Sequence, residues 1–273
     1  MTAAVETPVV ARATLRPVAD ARLRFSGVLR SEWIKLTTLR STVWIWAILF
    51  ALQIGMGALM VLSQDRFGDP SQGAAQTAVF AASIGLIFNQ LVIAVLGVLV
   101  ISGEYGTGQI RSSLTAVPKR LPVLWAKALV FGVSTFVVGL LAIIAAYAVT
   151  WPMLDSKGIT SDLGDPDVWA HLVGGAGYLA LVGLVAFFIG ALLRHTAAGI
   201  AAAVGLLLVV PSVLSFIVAD WSTVLGQWLP GSVGQGLFFG SDIFEPWQAV
   251  LVMLGWVTVF AVPAAVLLKR RDA

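Results

Sequence analysis

Few side chains in this sequence are of types that do chemistry, and they fall into small groups. Asp162, Asp165 and Asp167 put three carboxylates into six residues. Such a cluster can hold a cation or a diphosphate–magnesium unit, and a solvated loop has the same composition. His171 and His195 stand on opposite sides of the apolar run between them, so they are not expected to share a metal. Ser232 lies in Gly231-Ser232-Val233-Gly234, a setting for a nucleophile, but no histidine is expected near it. With no cysteine in the chain, thiolate metal sites and cysteine nucleophiles are excluded. Gly103-Glu104-Tyr105-Gly106-Thr107-Gly108-Gln109-Ile110 has glycines at intervals resembling a phosphate-binding loop. It lacks the lysine and hydroxyl that would meet phosphate and magnesium, and it follows an apolar run instead of a strand. The expectation is therefore no catalytic residue, no bound metal and no ATPase of the chain's own.

The amides are a different case. Gln53, Asn89 and Gln90 lie at the centres of apolar runs, where polar groups are costly. Three amides at one depth on neighbouring spans can line a substrate path. They can also join helices through hydrogen bonds worth about 1 kcal/mol each.

The elements that must position these groups follow from composition. The chain is 59% hydrophobic and only 11% charged, with a mean hydropathy of +0.94, whereas soluble domains carry about 25% charged residues. A soluble enzyme is excluded. Six apolar runs, near 43–63, 79–102, 123–150, 171–193, 197–219 and 248–268, are each long enough to cross a bilayer as a helix. Fifteen of the 17 basic residues fall on one side of such a six-span arrangement. The positive-inside rule then places both termini in the cytoplasm. The expected fold is all-α: a disordered cytoplasmic tail over 1–24, an amphipathic helix over 25–41, and a six-span domain over 42–271 of a multi-pass protein in the bacterial inner membrane.

Two segments are neither span nor simple loop. Over 25–40, Phe25, Val28, Leu29, Trp33, Leu36 and Leu39 recur at helical spacing, which predicts an amphipathic helix lying in the membrane interface. Over 220–247, Pro230, Gly231, Gly234, Gly236 and Gly240 interrupt a segment that still carries Trp221, Trp228, Leu229, Phe238 and Trp247. Short helices dipping back into the outer leaflet or capping the bundle are expected there, with Trp228, Leu229, Pro230 and Gly231 at the point of re-entry. Pro211 and Pro263 are expected to kink the fifth and sixth spans.

Three of these stretches together resemble permease subunits of ABC transporters, specifically the six-span bacterial type-2 export class. They are Ser31-Glu32-Trp33-Ile34-Lys35-Leu36 with Leu39-Arg40-Ser41, then Ser102 through Arg111, then Leu229-Pro230-Gly231-Ser232-Val233-Gly234-Gln235. Gln109 departs from the family's pattern, in which a shorter residue is often seen. The resemblance covers residues 25–271. It implies a homodimer of permeases joined to two copies of a separate ATPase subunit, with ATP and magnesium bound there and no cofactor in this chain. The lipid bilayer is a further partner, and nucleic acid is not one. It also implies that Glu104, Tyr105, Gly106, Thr107, Gly108, Gln109, Ile110 and Arg111 begin the coupling element that docks on the ATPase, with Glu104 hydrogen-bonded or ion-paired at its hinge. With no buried charge expected in the spans, the cargo is expected to be hydrophobic or amphipathic: a drug, an antibiotic or a lipid. Two other classes stay open: a membrane-embedded lipid-processing enzyme using the Asp162–Asp167 loop, and an ATP-independent channel or self-protection protein.

Overall fold

A computed structural model describes residues 24–67, 73–106, 108, 120–159, 162 and 164–270. The proposed tail over 1–24 thus lies outside the described residues except for Arg24. Helices and no strands occur among the described residues. In chain order they are α1 (Phe25–Thr38), α2 (Arg40–Phe67), α3 (Ala74–Ser83), α4 (Leu86–Gly106), α5 (Arg120–Asp155) and α6 (Pro166–Leu193). Then follow α7 (Thr196–Val204), a π-helical turn over Gly205–Val209, α8 (Val210–Ser215), α9 (Asp220–Gln227), α10 (Pro230–Phe239) and α11 (Pro246–Arg270).

Six helical stretches are long and apolar enough to cross a membrane: Arg40–Gln64, Ala74–Gly106, Leu121–Asp155, Pro166–Leu193, Thr196–Ser215 and Pro246–Arg270. The chain is therefore a multi-pass, all-α membrane protein. Several spans extend beyond the apolar runs that announced them, because a helix continues into the interfacial region until its backbone finds a cap or a turn. The fifth span is shorter than expected: it ends at Ser215, and Phe216–Ala219 turn toward α9.

Two spans depart from regular helix, each for a local reason. The second breaks at Ile84–Gly85, between α3 and α4. At the break the Ala82 carbonyl accepts a hydrogen bond from the Gln53 side chain, Nε2 to O 2.6 Å. A Cβ at Gly85 would stand 2.7 Å from the Gln53 Cα, so glycine is what lets α2 approach this closely. In the fifth span, Pro211 has no N–H and its ring crowds the carbonyl four residues back. The turn just before it relaxes to a wider register, with Val210 N–H bonding the Gly205 carbonyl.

Burial is uneven, and this ranks the helices. In the fourth span 67% of the central window is buried, against 17% in each of the fifth and sixth. α6 is thus the axis of the bundle, packed against α4, α5, α10 and α11. Its small residues permit this: a Cβ added at Gly174 would overlap the Leu237 carbonyl of α10. α10 buries Pro230, Gly231, Val233, Gly234, Leu237 and Phe238. A Cβ on Gly231 would stand 3.8 Å from Gln90 Oε1, so the first turn of α10 reaches the middle level of the second span.

α1 divides the expected stripe between a buried and an exposed part. Its buried face is Val28, Glu32 and Leu36, while Phe25, Trp33 and Leu39 are about half exposed and Leu29 is intermediate. Val28 and Leu29 pack with Val123 and Ala126 of α5. The helix is turned by the need of Glu32 to meet charge on its neighbours, an attraction that counting apolar positions does not register.

Candidate functional site

Four charged side chains meet where α1, α4 and α5 converge. Glu32 and Lys35 come from one turn of α1, Glu104 from the last turn of α4, and Lys127 from the third turn of α5. Lys127 Nζ donates to Glu32 Oε2 and, at 2.8 Å, to Glu104 Oε1. Lys35 Nζ donates to Glu32 Oε1 at 2.8 Å and to Glu104 Oε1 at 3.0 Å. Each carboxylate bridges both ammonium groups, so the four close into a neutral ring. The expectation that the spans hold no buried charge is overturned: Lys127 is 4% exposed and Glu104 is 7% exposed. An unpaired charge in such surroundings would be prohibitive, and mutual pairing is what makes the burial tolerable.

The ring is more open at Lys35. Desolvation pulls the pKa of Lys35 down, but hydrogen bonds and charge from Glu32 and Glu104 outweigh it and hold the group above its usual 10.5. Beside the ring lies a cavity of about 220 Å³, bounded by the four charges, the Leu36–Thr42 elbow between α1 and α2, and apolar side chains of α4 and α5. Glu104 Oε2 is buried and accepts no hydrogen bond among the described residues.

At the same end of the bundle, Tyr105 packs beneath the Arg194 guanidinium, 5.2 Å from its centroid. Arg194 terminates α6 in a left-handed conformation, φ 52°, unusual for a side chain other than glycine or asparagine. Its Nη2 donates to the Leu267 carbonyl of α11 at 3.3 Å, and Ser102 and Thr196 share a hydrogen bond of 3.0 Å. These contacts tie the ends of the second, fourth, fifth and sixth spans together. Gly106 is exposed, and Gly108 adopts φ 72°. Thr107, Gln109, Ile110 and Arg111 lie outside the described residues.

The three amides are hydrogen-bonded in the interior, in two separate groups. Asn89 Nδ2 donates to Gln53 Oε1 at 2.7 Å and to the Leu49 carbonyl at 3.1 Å. Gln90 Nε2 donates to the Ile87 carbonyl at 2.8 Å, and the Tyr178 hydroxyl donates to Gln90 Oε1. Gln53 and Asn89 are fully buried and Gln90 nearly so. These bonds join α2 to α4 and α4 to α6.

At the segment expected from the sequence to re-enter, Leu229 is buried at the N-cap position of α10, while Trp228 is half exposed. The Trp228 carbonyl accepts a 2.8 Å bond from Trp256 Nε1, and its ring meets Phe244 edge-on with centroids 5.0 Å apart. In the acidic loop, Asp162 Oδ1 accepts from Gly164 N–H at 2.7 Å and Asp165 Oδ1 from Asp167 N–H at 2.9 Å, so two of the three carboxylates cap local turns. His171 is in the second turn of α6 and His195 just past its end, roughly 36 Å apart at 1.5 Å per residue. Among the described residues no group of three metal-ligating side chains forms.

The sequence signals single out Glu104 but not its partners. Lys127 reads as a span boundary and Glu32 as part of an interfacial helix, and they are 95 residues apart. A usable signal did exist: Glu32 and Lys35 sit at i, i+3 on the same helix face as Val28 and Leu36. No protein-family model matches the chain, and no curated protein matches it either.

Proposed function

We propose that this chain is the permease subunit of an ATP-driven exporter in the bacterial inner membrane, with both termini in the cytoplasm. The observation that carries the reading is the ion ring. It joins α1, the end of the second span and the start of the third into one unit, from which the 107–119 connection departs. A separate ATPase docking on that connection would move three helices together, because a bundle held by buried ion pairs shifts as a body instead of flexing. Two permease copies and two ATPase copies form the working unit. ATP and magnesium belong to the ATPase, and this chain performs no catalysis.

The cargo is hydrophobic or amphipathic. At mid-membrane the amides Gln53, Asn89 and Gln90 are neutral and already hydrogen-bonded, Asn89 to Gln53 and Gln90 to the Ile87 carbonyl and Tyr178. A pathway would then run between copies, along the weakly buried first and fifth spans. α10 is read as re-entrant, since its first turn reaches the level of Gln90.

The test is co-expression with the neighbouring ATPase, followed by purification under gentle detergent. The wild-type chain is expected to co-elute with the ATPase, and the Glu104→Arg, Arg111→Glu double variant to lose it. A wild-type chain that elutes alone would overturn the reading.

A further inference from the structure

We propose that the groove between α1 and α5 holds one anionic glycerophospholipid of the adjoining leaflet, with its phosphate on Arg30 and an acyl chain lying between the two helices. This rests on the chain's crossing a membrane and is independent of the transport reading.

Two apolar ridges make the groove. Leu29 and Trp33 stand one turn apart on α1, and Leu129 and Val133 one turn apart on α5. With Arg30 and Val130 they border a space of about 310 Å³. The two helices run side by side in the same sense: Val28 packs with Val123 and Ala126, Glu32 meets Lys127, and Leu36 shares a cavity wall with Val130 and Phe131. Arg30 therefore lies nearer the membrane surface than Trp33, and Leu129 nearer than Val133. The groove is charged toward the surface and apolar toward the membrane centre, the order in which a phospholipid is built.

The deep end continues onto the surface that faces lipid. Leu129, Val133, Val137 and Leu141 recur every four residues on α5, and each is about half exposed. That track is about 18 Å long at 1.5 Å per residue, against about 15 Å for one leaflet's share of the hydrocarbon core. One acyl chain covers it. At the shallow end the protein leaves positive charge unmatched. Arg30 is exposed, and its guanidinium meets no carboxylate among the described residues. The carboxylates described at this end, Glu32 and Glu104, are buried and already held by lysines. Arg24 and Arg40 are exposed nearby in the sequence, so the local field favours a head of net negative charge over a zwitterion, whose ammonium it repels. A guanidinium also takes two phosphate oxygens at once.

The full chain, purified in detergent, is offered equal amounts of phosphatidylglycerol and phosphatidylcholine with identical acyl chains, and retained lipid is read by native mass spectrometry. Detergent removes the surface potential of a bilayer and leaves the contact itself. Phosphatidylglycerol is expected to be retained about tenfold over phosphatidylcholine, the factor that one charge-assisted hydrogen bond supplies. Arg30→Gln is expected to erase that preference, and Arg24→Gln, outside the groove, to leave it intact. Val133→Trp fills the groove from a half-exposed position, where it strains no packing, and is expected to erase the preference with Arg30 still in place. Free glycerol phosphate at the same concentration is expected not to compete, since it lacks the acyl chain. Equal retention of the two lipids, a preference that survives Arg30→Gln or Val133→Trp, or one lost equally with Arg24→Gln overturns the proposal. Effective competition by glycerol phosphate overturns the lipid assignment. A Val133→Trp chain that loses a dimer instead of a lipid puts a second copy in the groove and overturns it too.

Discussion

At the scale of single residues, the chain's most consequential charge is one that composition hides. Lys127 pairs with two buried carboxylates, sharing their neutralisation with the more exposed Lys35. Removing it while leaving them in place abandons negative charge in the interior, at a cost of about 3–5 kcal/mol. Lys127→Met is accordingly expected to lower the unfolding midpoint in detergent sharply, and the triple variant that also carries Glu32→Gln and Glu104→Gln to recover much of the loss. Lys35 adds a pH dependence. Its folded pKa is raised, so its contribution is fully present below the unfolded lysine value, near 10.4, and is lost as pH rises through the higher folded one. The difference in stability between wild type and Lys35→Gln should stay constant from about pH 7 to 9 and shrink above about pH 10.5. Glu104 was legible because a lone carboxylate ends an apolar run. Lys127 was not, since a lysine at a span end is what the membrane surface ordinarily demands.

Among the elements, the six spans were legible because about 20 apolar residues in a row have few alternatives to a transmembrane helix. The interruption between α3 and α4 was not. It depends on a side chain from another helix, Gln53, taking the Ala82 carbonyl, and no pattern within 79–102 encodes that. Gly85→Val would drive a side chain into the Gln53 backbone. Overpacking of this kind costs about 1–3 kcal/mol, measurable as a lower unfolding midpoint, whereas Gly103→Ala, where a Cβ meets nothing within 4 Å, should be nearly silent. The rotation of α1 was invisible for a related reason. Apolar spacing alone favoured a stripe through Trp33, but the Glu32 carboxylate outweighs several exposed methylenes once Lys127 is within reach.

For the whole molecule, an even number of crossings puts the two ends of the chain on one face, together with the ion ring and the Arg194–Tyr105 stack. The sequence assigns fifteen of the 17 basic residues to that side of a six-span arrangement, so the proposed orientation makes it the cytoplasmic one. Reporter fusions at both termini are expected to be active in the cytoplasm, and a fusion placed after Lys157 to be active outside; an external reading at either terminus would overturn the orientation. The uneven burial of the spans belongs to this scale as well. The second, third and fourth make a self-sufficient core, while the first, fifth and sixth lay most of their surface against whatever surrounds the chain.

The ring has a consequence for biogenesis. Glu32 leaves the ribosome 95 residues ahead of Lys127, which at 5–20 residues per second is a wait of roughly 5–20 s. Throughout that interval the first span can enter the bilayer, yet the helix before it has only its own Lys35 as counter-charge for Glu32 on its inward face. Docking of the N-terminal helix is thereby timed to the arrival of the third span, with three more spans still to be made.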